Sequence, residues 1–164
     1  MDYPELFLKI ISVVLRNEGG YVNNKSDPGG ETRYGISKRS HPKIDIKNLT
    51  IGGAMAIYYT DYWVPMNLEG INDDELVLHI FDHGVNVGGV TSIKILQRLI
   101  GVVDDGDIGD ETRRAIREYN GDILADFIKR RKLFYIMLAQ KRPSSRVFLK
   151  GWLKRIEHTK FKTT

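Results

Sequence analysis

Apolar residues recur at three- and four-residue intervals along most of this 164-residue chain, and glycine or proline cuts the runs short. A 3.6-residue period puts such residues on one helix face, so the pattern prescribes amphipathic helices joined by tight turns. Leu6, Phe7, Ile10, Val13 and Val14 predict a helix over about 5–18, with Pro4 in its opening turn and Gly19-Gly20 stopping it. Thr50 is placed to cap a second helix to about Trp63, which Pro65 ends. Asp73 and Asp74 open another, with Leu76, Val77, Ile80 and Phe81 on its buried side. Further helices are predicted over 90–100, from an Asp110 cap to about Tyr119, and over 123–140. Pro143 opens the last, which carries Val147, Phe148, Trp152 and Ile156. No strand alternation persists beyond four residues outside 21–36. Within 21–36, Asp27-Pro28-Gly29-Gly30 suits a tight turn, and the segment reads equally as loop or short hairpin. The fold class is mainly α.

Composition narrows the chemistry. Without cysteine there is no disulfide scaffold, zinc ribbon, thiol catalysis or iron–sulfur ligation. With 41% hydrophobic and 28% charged residues the chain can bury a core, and it reads as neither disordered nor membranous. The run Ile10 to Leu15 is far short of a membrane span, which takes about 20 residues. Asp2 and Glu5 precede the first lysine, the wrong sign for a signal peptide. The expectation is a protein made in the cytoplasm without a recognisable signal peptide, acting on anything outside only if released.

Charge is unevenly spread. Residues 1–90 carry 8 basic and 12 acidic side chains, residues 91–164 carry 17 and 9, and from Lys129 onward 12 bases face Glu157 alone. Such an arm suits nucleic acid, phospholipid or an acidic cell-wall polysaccharide, though a solvated helix face would look the same. The change of composition near Gly88-Gly89 suggests two parts, 1–89 and 90–164, packed as one compact unit.

Glu18 stands where the first helix stops. A carboxylate there meets the negative end of the helix dipole, which disfavours its charged form. Glycosidic cleavage needs a carboxylic acid that keeps its proton near neutral pH. Eight residues separate Glu18 from Asp27 and four separate Asp27 from Thr32, leading into Tyr34-Gly35-Ile36. A helix-terminal Glu and a turn bearing Asp and Thr can place carboxyls on opposite sides of a sugar: one protonates the leaving oxygen, the other supports an oxocarbenium ion or directs water. Asp27 and Thr32 can equally be shaping their own turns.

Glu18-Gly19-Gly20-Tyr21-Val22-Asn23, Asp27-Pro28-Gly29-Gly30-Glu31-Thr32 and Tyr34-Gly35-Ile36-Ser37 closely resemble the signature of glycoside hydrolase family 108. The likeness continues through Tyr62-Trp63, Phe81-Asp82, Val85-Asn86 and Gly88. Leu96-Gln97-Arg98-Leu99, Gly101-Val102, Asp105-Gly106, Ile108-Gly109 and Thr112 then resemble the peptidoglycan-binding region that follows the catalytic part, and Gly151-Trp152-Leu153 with Arg155 resembles the closing segment. The resemblance implies a lysozyme-like, two-lobed helical fold with a helical C-terminal part, and an N-acetylmuramidase that cleaves peptidoglycan. It implies Glu18 as the catalytic acid, and many members are labelled secretion-activating proteins. Glu18, Asp27 and Thr32 are also similar to the triad of phage-type lysozymes, with one residue fewer before Thr32. Asp27, Glu31 and Asp82 are all candidates for a second carboxylate. A wall-binding or secretion-regulating protein of the same fold without turnover is the alternative.

Tyr21, Tyr34, Tyr62 and Trp63 could stack on sugar rings, although Tyr58, Tyr59, Tyr62 and Trp63 at helical spacing also suit a core. Asn86 could bond substrate amides or cap its helix. His79 and His83 are four apart around Asp82, a spacing that can ligate zinc, but no third ligand is evident and no metal or other cofactor is expected. The acids Asp104, Asp105 and Asp107 read as a turn, since EF-hand spacing is not met. The bases Lys129-Arg130-Arg131-Lys132 share a helix with Phe127, Leu133, Phe134, Ile136 and Met137, which is expected to carry them on its outer side and argues against nucleic acid. The expected partner is peptidoglycan, with the basic C-terminal region holding anionic wall polymer.

Overall fold

The structure is a computed structural model and describes residues 2–23 and 30–162. It is mainly helical, with one small sheet. By internal packing the chain divides into two compact units, Met1–Asp61 and Tyr62–Thr164.

In the first unit, helix α1 spans Glu5–Asn17 behind an N-capping Pro4, and it buries Phe7, Ile10, Ile11, Val13 and Val14. The segment left open between loop and hairpin holds three short antiparallel strands, β1 (Val22–Asn23), β2 (Glu31–Arg33) and β3 (Ile36–Ser37). Val22 pairs with Thr32, Thr32 with Ser37, and Arg33 with Ile36. Tyr34 and Gly35 join β2 to β3 with φ of 52° and 76°, the doubly left-handed pair that a two-residue hairpin favours because its twist matches the strands. Helix α2 (Ile51–Tyr58) begins where the Thr50 hydroxyl accepts from the Gly53 amide at 3.1 Å. Tyr3, Phe7 and Tyr59 form a ring cluster, with centroids 5.0–5.3 Å apart, that ties the end of α2 to α1.

The chain continues from α2 through a π-helical turn, Tyr59–Trp63, into α3 (Val64–Met66). Pro65 therefore does not end the helix. It sits in the first turn of α3, where a missing N–H costs nothing, and the stop comes at left-handed Asn67, φ 50°.

The second unit continues with α4 (Asp74–Val87), α5 (Gly89–Ile100), α6 (Asp110–Glu118), α7 (Ile123–Lys141), a 3-10 turn (Pro143–Ser145) and α8 (Arg146–His158). Helix α4 packs on α5 and α7, and α7 packs on α8. The composition change near Gly88-Gly89 thus falls within this unit. Asp73 caps α4 at the Leu76 amide and Asp122 caps α7 at the Ala125 amide, both at 2.9 Å. Asp110 is the first residue of α6 rather than its cap, a place where a carboxylate still favours the helix dipole. Gln97 organises the acidic turn: it donates to Asp105 Oδ1 and to the Asp107 carbonyl, and accepts from the Gly106 amide.

At the heart of this unit lies a buried polar cluster. Asp82, fully buried on α4, accepts from Arg131 of α7 at 2.7 Å, from Arg155 of α8 at 2.8 Å and from the Thr159 hydroxyl at 3.1 Å. Arg131 also lies 2.7 Å from His79 Nδ1. The expectation that Arg131 lies on the outer side of its helix is therefore corrected. Arg131 shares the inner face with Phe127, Tyr135 and Ala139, while Leu133, Ile136 and Met137 are exposed. Among the described residues no helix is long and apolar enough to cross a membrane.

Candidate active site

Glu18 caps α1 at its C-terminal end. Its backbone leaves the helix at φ −82°, ψ 140°, and its amide still bonds the Val14 carbonyl. The side chain is half-buried. What it packs against can be read at Gly35: a Cβ there would fall 2.7 Å from both the Glu18 carboxyl carbon and Oε2, and closer still to the Tyr58 hydroxyl. The carboxyl group therefore lies on the bare backbone of the β2–β3 turn. Tyr58, 1% exposed on α2, donates to the Tyr34 carbonyl at 2.8 Å and so fixes that turn beneath it. Three elements thus converge on one carboxyl group: the end of α1, the hairpin turn and α2.

The neighbouring candidates belong to the same unit. Tyr21, 40% exposed, donates to Glu31 Oε1 at 2.8 Å, and this bond pushes the Tyr21 hydroxyl above its ordinary value. Thr32 is half-buried in the middle strand. Tyr34 is half-buried, with the Arg33 guanidinium 5.3 Å from its ring centre. Asp27 lies outside the described residues.

Other candidates fall in the second unit. Trp63 is 2% exposed; it lies edge-on to Phe81 at 5.6 Å and its Nε1 donates to Glu69. Its ring is a core element with no face open to a sugar, which corrects the stacking role considered for it. Tyr62 is half-buried. Asn86 is exposed near the end of α4 and donates to the Tyr135 hydroxyl at 3.3 Å. Asp82 has its oxygens committed to two guanidiniums and a hydroxyl in a sealed interior, so it is not available as a second carboxylate.

The histidines flanking Asp82 meet different surroundings. His79 faces the Arg131 guanidinium; burial first, and that cation second, hold its imidazole down to about 4. His83 is fully buried among the rings of Phe127, Phe134 and Tyr135, neither ring nitrogen has a hydrogen-bond partner, and burial brings it down to about 3. Among the described residues no group of three or more His, Asp or Glu could hold a metal ion.

The sequence singles out Glu18 as a candidate but not the residues that its side chain packs against. Tyr58 at helical spacing reads as a core aromatic, which it is, yet its hydroxyl also fixes the turn against which Glu18 lies. Gly35 was visible only as part of a motif, and nothing in the sequence said which side chain would lie on it.

Residues 11–88 match the model of the glycosyl hydrolase 108 family, and residues 91–157 match that of a predicted peptidoglycan domain. No curated protein matches the chain. Among solved structures, SagA of Brucella abortus is similar over 93% of this chain and 90% of its own, at 30% identity and a TM-score of 0.73. A helix-terminal glutamate seated on a hairpin turn, the two family matches in chain order and a neighbour spanning nearly the whole length agree: this chain is a member of glycosyl hydrolase family 108, followed by a predicted peptidoglycan domain.

Proposed function

We propose that the protein is an N-acetylmuramidase that hydrolyses the β-1,4 bond between N-acetylmuramic acid and N-acetylglucosamine in peptidoglycan, with Glu18 as its general acid. One observation carries this reading: a half-buried carboxyl group at the end of a helix, held against the Gly35 backbone above a turn that Tyr58 fixes. Fixing a proton donor before substrate arrives removes an orientation cost from the transition state. Glu18 delivers its proton to the bridging oxygen as the bond from that oxygen to the muramic acid C1 breaks. The positive charge that develops on the ring is quenched by water adding at C1, and the proton that this water releases passes to a carboxylate, Asp27 or the now ionised Glu18.

Asp27 is the candidate that supports this charge or directs the water, and Thr32 assists it from β2. Tyr21 and Tyr34 offer aromatic faces to the glycan. Tyr62 and Asn86 keep exposure for saccharide contacts of their own in the second unit. The bases on the outer side of α8, Arg146, Lys150 and Lys154, hold anionic wall polymer through many screened contacts. The protein is made in the cytoplasm and acts on the wall once released.

The test compares the wild type with Glu18→Gln, which keeps size and removes the acid. Each is incubated with purified peptidoglycan and the fragments are read by mass spectrometry. New reducing muramic acid ends with the wild type, and none with the variant, support the proposal. Reducing glucosamine ends, free amines or no fragments at all identify a glucosaminidase, an amidase or peptidase, and a non-catalytic binder respectively, and each would overturn it.

A further inference from the structure

Helix α7 is apolar on two faces, and the described residues cover one. Phe127, Tyr135 and Ala139 turn inward, while Leu133, Ile136 and Met137 face outward at 46%, 37% and 44% exposure. Their spacing of three and four residues makes them one patch. Beside it Leu133, Phe134, Met137 and Leu138 line a cavity of about 370 Å³ with Ile95 of α5. Arg130 and Lys141 also line this cavity, about one turn before and one turn after the patch along α7. Lys129 is paired with Asp126 and Arg98 with Asp104, but among the described residues no carboxylate lies within ion-pair distance of Arg130, Lys141 or Arg142. Past the 3-10 turn, Val147 and Phe148 are exposed at 77% and 59%.

Charge decides what fits this face. A second copy docking across a two-fold axis would bring Arg130 and Lys141 against their own kind. A hydrophilic polyanion would satisfy the cations and leave the apolar patch wet. Only an occupant that is both anionic and apolar answers both features. We propose that the outward face of α7 docks on an anionic phospholipid bilayer, its bases meeting lipid phosphates while Leu133, Ile136 and Met137 enter the acyl boundary.

The intact protein is sedimented with vesicles of phosphatidylcholine containing about 30 mol% phosphatidylglycerol, and with phosphatidylcholine alone. Wild type is expected on the anionic vesicles only. The double variants Leu133→Gln/Met137→Gln and Arg130→Gln/Lys141→Gln are each expected to reduce binding about tenfold. Unchanged thermal midpoints show that the variants fold, and Ile136→Gln serves as a milder apolar change should the first pair not. No binding to anionic vesicles overturns the proposal. So does full binding by the apolar variants, which would mean adsorption by charge alone, or a dimer in solution that those variants abolish. These readouts need no glycan cleavage, so their failure and that of the muramidase reading are distinct.

Discussion

Arg131 and Asp82 hold each other at 2.7 Å with neither side chain exposed at all. Burial alone would raise the Asp82 carboxyl, but Arg155 and Arg131 outweigh it and hold the group below the usual carboxylate range. Removing one partner of such a cluster leaves the others as uncompensated buried charges. Asp82→Ala is therefore expected to destabilise the fold by about 3–5 kcal/mol, and Asp82→Asn, which keeps shape but not charge, by a comparable amount. Denaturant unfolding checks this; a midpoint like that of the wild type would mean the cluster contributes little.

Acid should unfold the protein through the same region. The fold keeps His79 and His83 neutral, down to about 4 and about 3 against an ordinary 6.5, so between those values the unfolded chain binds more protons. Their contribution is fully present above pH 6.5 and is lost as pH falls, at up to about 1.4 kcal/mol per pH unit for each histidine. Asp82, lowered in the fold, acts in the same direction: its contribution is present above the ordinary carboxylate value and lost as pH falls through the depressed one. Melting temperature is expected to fall from about pH 6.5 downward, and His83→Leu to flatten that slope. A profile level between pH 7 and pH 4 would contradict the neutral histidines.

Gly35→Ala tests the seat of Glu18. The new methyl group would meet the Glu18 carboxyl and the Tyr58 hydroxyl, at a left-handed φ of 76° that costs a residue with a Cβ about 1–2 kcal/mol. Stability should fall by at least about that amount, and peptidoglycan cleavage by about tenfold or more, because small displacements of a proton donor are expensive. Full activity would show that the carboxyl group does not need this contact.

Raising salt is expected to weaken adsorption to whole walls more than it slows cleavage of short soluble muropeptides, since exposed charges are screened within about 10 Å at 0.1 M salt. Sedimentation with walls and a fragment assay across a salt series give the two curves. Equal loss of both would argue against anchoring by the basic region.

Helix positions were legible because their signals are local: apolar periodicity, Asp73 at an N-terminus and Gly101 at a stop all act within a turn. Glu18 stands out as a candidate for a similar reason, since it lies beside its own helix's stop signal. What escaped was decided by partners distant in sequence. Arg131 reads as one base in a run of four, and only Asp82, 49 residues earlier, turns it inward. Trp63 reads as a sugar platform until Phe81 and Glu69 claim its ring and its nitrogen. Pro65 reads as a stop, yet a first turn tolerates it.

The Asp82 cluster also restricts how this protein can be recombined. Its acid comes from the stretch matching the hydrolase family, and Arg131 and Arg155 come from the stretch matching the peptidoglycan domain. Cutting at residue 89 to graft either half onto a foreign partner would strand a charge without its counterion, so the halves are not interchangeable cassettes. A chimera that keeps its footing would have to carry all three residues together.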